Sequence, residues 1–125
     1  MLTGKFSESN LPAGPRSSIA QKYVAYPAFD ALIGTMRDVA AEVGGPTDPA
    51  QVALGWCMAK GASVIPGARN IRQVESNIRP RKFKLSAAQV LRLDAAAALV
   101  PKAVMPEANP FPKKDVFTGL AMYDS

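Results

Sequence analysis

One short apolar segment, residues 62–65, limits which folds this chain of 125 residues can adopt. Its sequence, Ala-Ser-Val-Ile, is too short and too apolar for a strand with one face in water. It therefore predicts a strand buried inside a parallel sheet that helices cover on both faces. No other segment is a convincing strand, and one parallel strand cannot form a sheet. We expect an α/β fold of which this chain holds a part, mostly helical as it stands.

Four helices are predicted from apolar spacing and capping patterns. The first covers about residues 27–43, whose apolar residues recur every three or four positions. The other three begin at the capping pairs Asp48 and Gln51, Asn70 and Gln73, and Ser86 and Gln89. The second helix is expected to bury Val52, Leu54, Trp56, Cys57 and Met58. Residues 1–25 are expected to be an irregular connection, and residues 101–125 a Pro-rich extended tail.

The residues after the predicted strand form an anion-binding pattern. Pro66 and Gly67 give a turn, and Asn70 caps the helix that follows. A helix N-terminus presents unpaired backbone N–H groups and the positive end of a dipole, and Arg69 and Arg72 add two cations there. We expect a phosphorylated ligand at this turn. The alternative for Arg69 is a solvated position in a basic loop.

The net charge of +5 lies in one segment, residues 69–84, which holds six basic residues and one acidic residue. Elsewhere nine basic residues face nine acidic ones, so the positive potential is local. A small polyanion suits this distribution better than a long one. Two alternatives are a solvated basic loop and a small nucleic-acid-binding or interaction module that uses this segment.

Several kinds of site are excluded by composition. The chain has no histidine and one cysteine, Cys57, so it lacks the usual zinc ligand sets, a Ser-His or Cys-His pair and an intramolecular disulfide. It also lacks a Walker-type glycine loop and any apolar run long enough to span a membrane. We predict no metal site and a soluble chain, with no targeting signal that would distinguish the cytoplasm from a plastid.

Several motifs occur in the order and at about the spacing of one known family. They are Leu2-Thr3-Gly4-Lys5-Phe6, Gly14-Pro15-Arg16, Gln51-Val52-Ala53-Leu54-Gly55-Trp56-Cys57, and Ile65-Pro66-Gly67-Ala68-Arg69-Asn70 with Gln73 and Asn77. This sequence resembles the C-terminal part of an aldo/keto reductase, particularly the plastid-type members. The resemblance implies the end of a (β/α)8 TIM barrel over residues 1–100: the connection after strand seven, helix seven, strand eight and the closing helix.

The resemblance also implies an NADP site. Gly4 and Lys5 match the residues that approach the pyrophosphate, and Arg16 matches a basic residue that reaches the 2′-phosphate in some members. Gly67 and Ala68 would allow close backbone approach, Arg69 would contact the 2′-phosphate, and Gln73 and Asn77 would bind the ribose and adenine, with Asn70 capping the helix. The planar fork of arginine binds phosphate with two hydrogen bonds, which favours NADP over NAD. Ser76 replaces a glutamate that contacts adenine in many members.

No catalytic residue is assigned to this chain. The family reduces an aldehyde or ketone with NADPH, using a tyrosine, a lysine, an aspartate and a histidine from the first half of the barrel. Tyr23, Tyr26 and Tyr123 lie in contexts unlike the family's tyrosine motif. We therefore expect the chain to be inactive alone and to meet its carbonyl substrate only in a complete barrel. The alternative is a non-catalytic remnant.

Overall fold

The computed structural model of the chain describes residues 2–7, 9–14 and 16–101, with Arg16 and Ile19 described for their backbone only. The described residues form five α-helices and one short 3₁₀ helix. These are α1 (Arg16–Val24), α2 (Pro27–Val43), α3 (Pro49–Ala59), α4 (Ile71–Ile78), the 3₁₀ helix (Arg79–Lys82) and α5 (Ala87–Ala98). None of these helices combines the length and apolar character that a bilayer span requires. Residues 102–125 of the predicted tail lie outside the described residues.

Helix α2 is the centre of the fold and has the predicted bounds. Pro27 at the first helical position and Gly44 at the C-cap explain both ends, since Gly44 takes φ of 80° and its N–H donates to the Ala40 carbonyl. One face of α2 packs against α1, α3 and α5. The core consists of Phe29, Leu32, Ile33, Met36, Val39 and Ala40 from α2, Val52 from α3 and Leu93 from α5.

The predicted capping boxes of α3 and α5 are both formed. The Asp48 carboxylate accepts from the Gln51 amide at 2.8 Å, and the Asp48 amide donates to Gln51 Oε1 at 3.2 Å. Ser86 and Gln89 make the equivalent reciprocal pair at 3.2 and 2.9 Å. Each box satisfies two groups that a helix leaves without intrahelical partners.

Two ion pairs hold α5 against the other helices. Arg92 pairs with Glu42 of α2, and this contact raises the pKa of Arg92 and lowers that of Glu42. Lys60 Nζ lies 2.7 Å from the Asp94 carboxylate, which also accepts from Trp56 Nε1 at 2.9 Å. Hydrogen bonds from Lys60 and then Trp56 lower the pKa of Asp94. Trp56 is half-buried against the core, as predicted.

The predicted buried strand at residues 62–65 is not formed. The segment has no ladder partner among the described residues, which contain one isolated bridge, between Ser7 and Asn10, and no sheet. Ile65 is 96% exposed. A parallel strand requires neighbouring strands for its backbone hydrogen bonds and layers on both faces, and the described residues supply neither.

Helix α4 keeps an uncovered apolar face. Ile71, Val74 and Ile78, spaced three and four residues apart, are 77%, 46% and 50% exposed. The helix has the amphipathic pattern that normally packs onto a core, but no described element covers this face.

Two further predictions were wrong. Residues 1–25 were expected to be irregular, but α1 forms there, with Ala20 buried and the Tyr23 ring 5.3 Å from that of Phe29. Cys57 was expected in the core and is exposed, as is Met58. Rotation explains Cys57: α3 buries the face that contains Gln51, Val52 and Gly55, and Cys57 lies on the opposite side of the helix. Met58 lies next to the last residue of α3 and is 38% exposed. Leu54 is half-buried.

Candidate functional site

Three hydrogen bonds fold residues 67–77 into one unit, here called the phosphate turn. Gln73 Oε1 accepts from the Arg69 amide at 2.6 Å, and Asn70 Oδ1 accepts from the Gln73 amide at 3.0 Å. Asn77 Nδ2 donates to the Gly67 carbonyl at 3.2 Å. Five of the predicted site residues are thus brought together, and the side chains of three of them, Asn70, Gln73 and Asn77, form hydrogen bonds with the backbone. The predicted Asn70 cap is confirmed, while Gln73 bonds to Arg69 instead of closing a capping box.

The phosphate turn presents cations and open polar atoms to solvent. The Arg69 and Arg72 side chains are exposed, and neither has an ion pair or hydrogen bond within the described residues. Gln73 Nε2 and Asn77 Oδ1 likewise have no partner in this part of the chain. A Cβ added to Gly67 would meet nothing within 4 Å, so the backbone there, next to exposed Ala68, is open to approach. The turn can therefore bind an anion without first breaking an internal contact.

The orientation of α4 depends on Gln51, which the sequence indicated only as a capping residue. Gln51 is 2% exposed, and its Nε2 donates to Ser76 Oγ at 2.9 Å. A second hydrogen bond holds the C-terminal end of α4: Arg79 Nη1 donates to the Pro46 carbonyl at 3.0 Å. Ser76, the residue that departs from the family glutamate, thus contacts α3. No local pattern indicates this contact, since 25 residues separate the pair.

The second predicted group, Gly4 and Lys5, lies on the loop before α1. Gly4 has φ of 65°, a conformation that favours glycine, and a Cβ added there would lie 3.2 Å from Ile33 Cγ2. The loop is fixed by Asn10 Nδ2, which donates to the Lys5 carbonyl at 2.8 Å. The Lys5 side chain is exposed. The predicted role of Arg16 falls on a side chain outside the described part.

The structure does not join these two groups. No hydrogen bond or ion pair links residues 2–14 to residues 67–77 where both are described. No cluster of three or more potential metal ligands occurs in the described residues either. Tyr23 is half-buried against Phe29, so its surroundings are those of a packing residue. Within the described residues, what the two groups offer is therefore the exposed cations Lys5, Arg69 and Arg72.

Comparison with known proteins gives the family. The sequence matches the aldo/keto reductase family over residues 1–98. It is 39% identical over 105 residues to a chloroplastic pyridoxal reductase of Arabidopsis thaliana, covering 84% of this chain and 28% of that protein. It is 34% identical over 111 residues to an uncharacterized oxidoreductase of Mycobacterium tuberculosis, covering 81% of this chain and 32% of that protein.

The match is partial in length. The chain spans less than a third of the curated relatives it matches. No solved structure matches it significantly. The family match nevertheless covers every described helix, from α1 to α5. The chain therefore belongs to the aldo/keto reductase family.

Proposed function

We propose that this chain is the C-terminal, cofactor-binding part of an NADP-dependent aldo/keto reductase, which transfers hydride from NADPH to an aldehyde or ketone. Residues 1–100 are then the connection after strand seven, helix seven, strand eight and the closing helix of a (β/α)8 barrel. The observation that carries the proposal is the exposed Arg69 side chain, unpaired within the described residues, on a turn that three hydrogen bonds hold in place.

The residues present fit a phosphorylated adenosine. The Arg69 guanidinium offers two parallel N–H donors to a 2′-phosphate. Gln73 Nε2 and Asn77 Oδ1 have no partner within the described residues, so Gln73 Nε2 can donate to the ribose and Asn77 Oδ1 can accept from the adenine amino group. Lys5 supplies a cation for the pyrophosphate. Bound NADPH would supply the hydride, while these residues bind and orient its nucleotide end.

The proton donor and the groups that tune it are proposed to lie in the rest of the barrel. The chain covers 28% to 32% of its relatives, and none of its residues is assigned a catalytic role. We propose that the chain alone does not reduce a carbonyl compound. Because the Arabidopsis relative is chloroplastic, the plastid is the first compartment to test, before the cytoplasm.

The exposed apolar side chains favour the proposal that this chain is part of a barrel over the alternative that it is a module that folds by itself. A module stable by itself would bury the face of α4 that holds Ile71, Val74 and Ile78. In a complete barrel, residues 62–65 would pair with neighbouring strands, and the sheet would cover this face. The competing function is a polyanion- or nucleic-acid-binding module, which the exposed cations Arg72, Arg81, Lys82 and Lys84 favour.

A graft experiment tests the proposal. Residues 1–98 replace the matching segment of the Arabidopsis pyridoxal reductase, and pyridoxal reduction is measured with NADPH and with NADH. The grafted enzyme is expected to be active with NADPH. Arg69→Ala should raise KM for NADPH about tenfold, with little effect on NADH, because a charge-assisted pair to phosphate is lost.

The matched control is Arg81→Ala, which removes an exposed cation of the 3₁₀ helix. It should leave both KM values within about twofold. Equal KM values for NADPH in the grafted enzyme and its Arg69→Ala variant would contradict the proposed 2′-phosphate contact. Binding of RNA with steep salt dependence, alongside no preference for NADP over NAD, would favour the competing module.

A further inference from the structure

A groove lined by the loop at Gly4 and Lys5 and by helix α2 is here called the α2 groove. Its volume is about 650 Å³, within the range of small-molecule sites. The buried side chains of Phe29 and Ile33 contribute apolar lining, while Lys5, Asp30 and Arg37 contribute charge. The resemblance indicated Lys5 as a ligand contact, whereas no role was predicted for Arg37 from the sequence.

Arg37 lies directly against the loop. Its Nη2 atom is 3.6 Å from the position that a Cβ on Gly4 would occupy. Gly4 and Lys5 are adjacent in sequence, and Lys5 and Arg37 both line the groove.

In the described part of the chain these two cations form no ion pair, in contrast to Lys60 and Arg92. Lys60 pairs with Asp94, and Arg92 pairs with Glu42, but neither Lys5 nor Arg37 has an ion pair or side-chain hydrogen bond within the described residues. The positions three and four residues from Arg37 on α2 are Ile33, Gly34, Ala40 and Ala41, so no helical neighbour can neutralise it.

The nearest acidic residues on α2 do not neutralise Arg37. Asp38 is the next residue, on a different side of the helix, and its charge acts on Arg92. Asp30 lines the same groove but lies seven residues away, which is about 10 Å along the helix axis. The groove therefore carries two cations, Lys5 and Arg37, and one carboxylate, Asp30, with which neither cation forms an ion pair.

We infer that Arg37 is a second pyrophosphate-binding residue, which together with Lys5 binds the diphosphate of the nucleotide in the α2 groove. This inference rests on the proposed function. A diphosphate carries charge on two phosphoryl groups, and two separated cations match it better than one. Asp30 opposes anion binding in this groove, because a carboxylate repels phosphate.

Calorimetric titration of the full 125-residue chain with inorganic pyrophosphate and with NADP⁺ tests the inference. Arg37→Gln should weaken the binding of both by about tenfold, since one charge-assisted contact is lost. Arg81→Gln removes the same charge outside the groove and should change both affinities by less than about twofold. Asp30→Asn should tighten pyrophosphate binding about two- to threefold, because a repulsive charge is removed.

The outcomes separate the inference from the proposed function. Wild-type affinity for pyrophosphate in Arg37→Gln would overturn the role of Arg37, whatever NADP⁺ does. Binding of pyrophosphate that requires Arg37, without any binding of NADP⁺, would uphold the anion site and overturn the nucleotide assignment. Absence of binding of either ligand to the wild-type chain would overturn both. Circular dichroism of each variant shows whether it is folded, and exposed Arg37 is not expected to be needed for folding.

Discussion

Replacing Ser76 with alanine should destabilise the chain through a residue on another helix. Gln51 Nε2 donates to Ser76 Oγ at 2.9 Å, and Gln51 is only 2% exposed. In Ser76→Ala this buried amide loses its acceptor, and water has little access to replace it. The expected loss in the free energy of unfolding is about 1–2 kcal/mol, the usual cost of one unsatisfied buried donor.

Urea unfolding measures this loss, with the fluorescence of Trp56, the single tryptophan, as the signal. Ser63→Ala is the matched control, since Ser63 is exposed, and it should change the free energy of unfolding by less than about 0.5 kcal/mol. A double-mutant cycle of Ser76→Ala with Gln51→Met isolates the pair, and a coupling of about 0.5–1.5 kcal/mol is expected. A Ser76→Ala chain as stable as wild type would refute the reasoning.

Three further predictions concern packing, pH and exposure. Gly55→Ala should lower the free energy of unfolding in urea by about 1–3 kcal/mol, because the added Cβ would lie 3.1 Å from Phe83 Cε2. In the control Gly34→Ala the added Cβ meets nothing within 4 Å, so this change should stabilise α2 by about 0.5–1 kcal/mol. The ion pair with Arg92 lowers the pKa of Glu42. The stability from this pair is therefore complete above the ordinary carboxyl pKa and is lost as the pH falls through the lowered pKa. In Glu42→Gln, the free energy of unfolding measured against pH should not show this loss. Exposed Cys57 should react fully with a thiol reagent in the folded chain, and protection until urea is added would place it in the core instead.

Local patterns predicted the helices well. The bounds of α2 follow from Pro27 and Gly44, and the capping boxes of α3 and α5 involve residues only three positions apart. Such signals depend on the segment alone, so they hold in whatever part of a fold the chain represents. Helix α1 was missed because its sequence has little apolar periodicity, and Gly14 and Pro15 before it are typical of a turn.

Features that depend on distant partners were harder to predict. Residues 62–65 have the composition of a buried strand, but a strand exists only with neighbours that supply hydrogen bonds. The Gln51–Ser76 contact and the position of Arg37 beside Gly4 each join segments more than twenty residues apart. Within the phosphate turn the Asn70 cap was predictable because Asn70 and Gln73 are close in sequence, while the position of this turn relative to Lys5 depends on packing that no motif encodes.

The most direct test of the account is equilibrium binding of NADP⁺ and NAD⁺ to the full chain at one salt concentration. A contact between Arg69 and the 2′-phosphate predicts that NADP⁺ binds at least about tenfold more tightly, since only NADP⁺ carries that phosphate. It also predicts that Arg69→Ala brings the two dissociation constants together. Equal affinity for the two nucleotides in the wild-type chain would contradict the proposal that the phosphate turn is an NADP site.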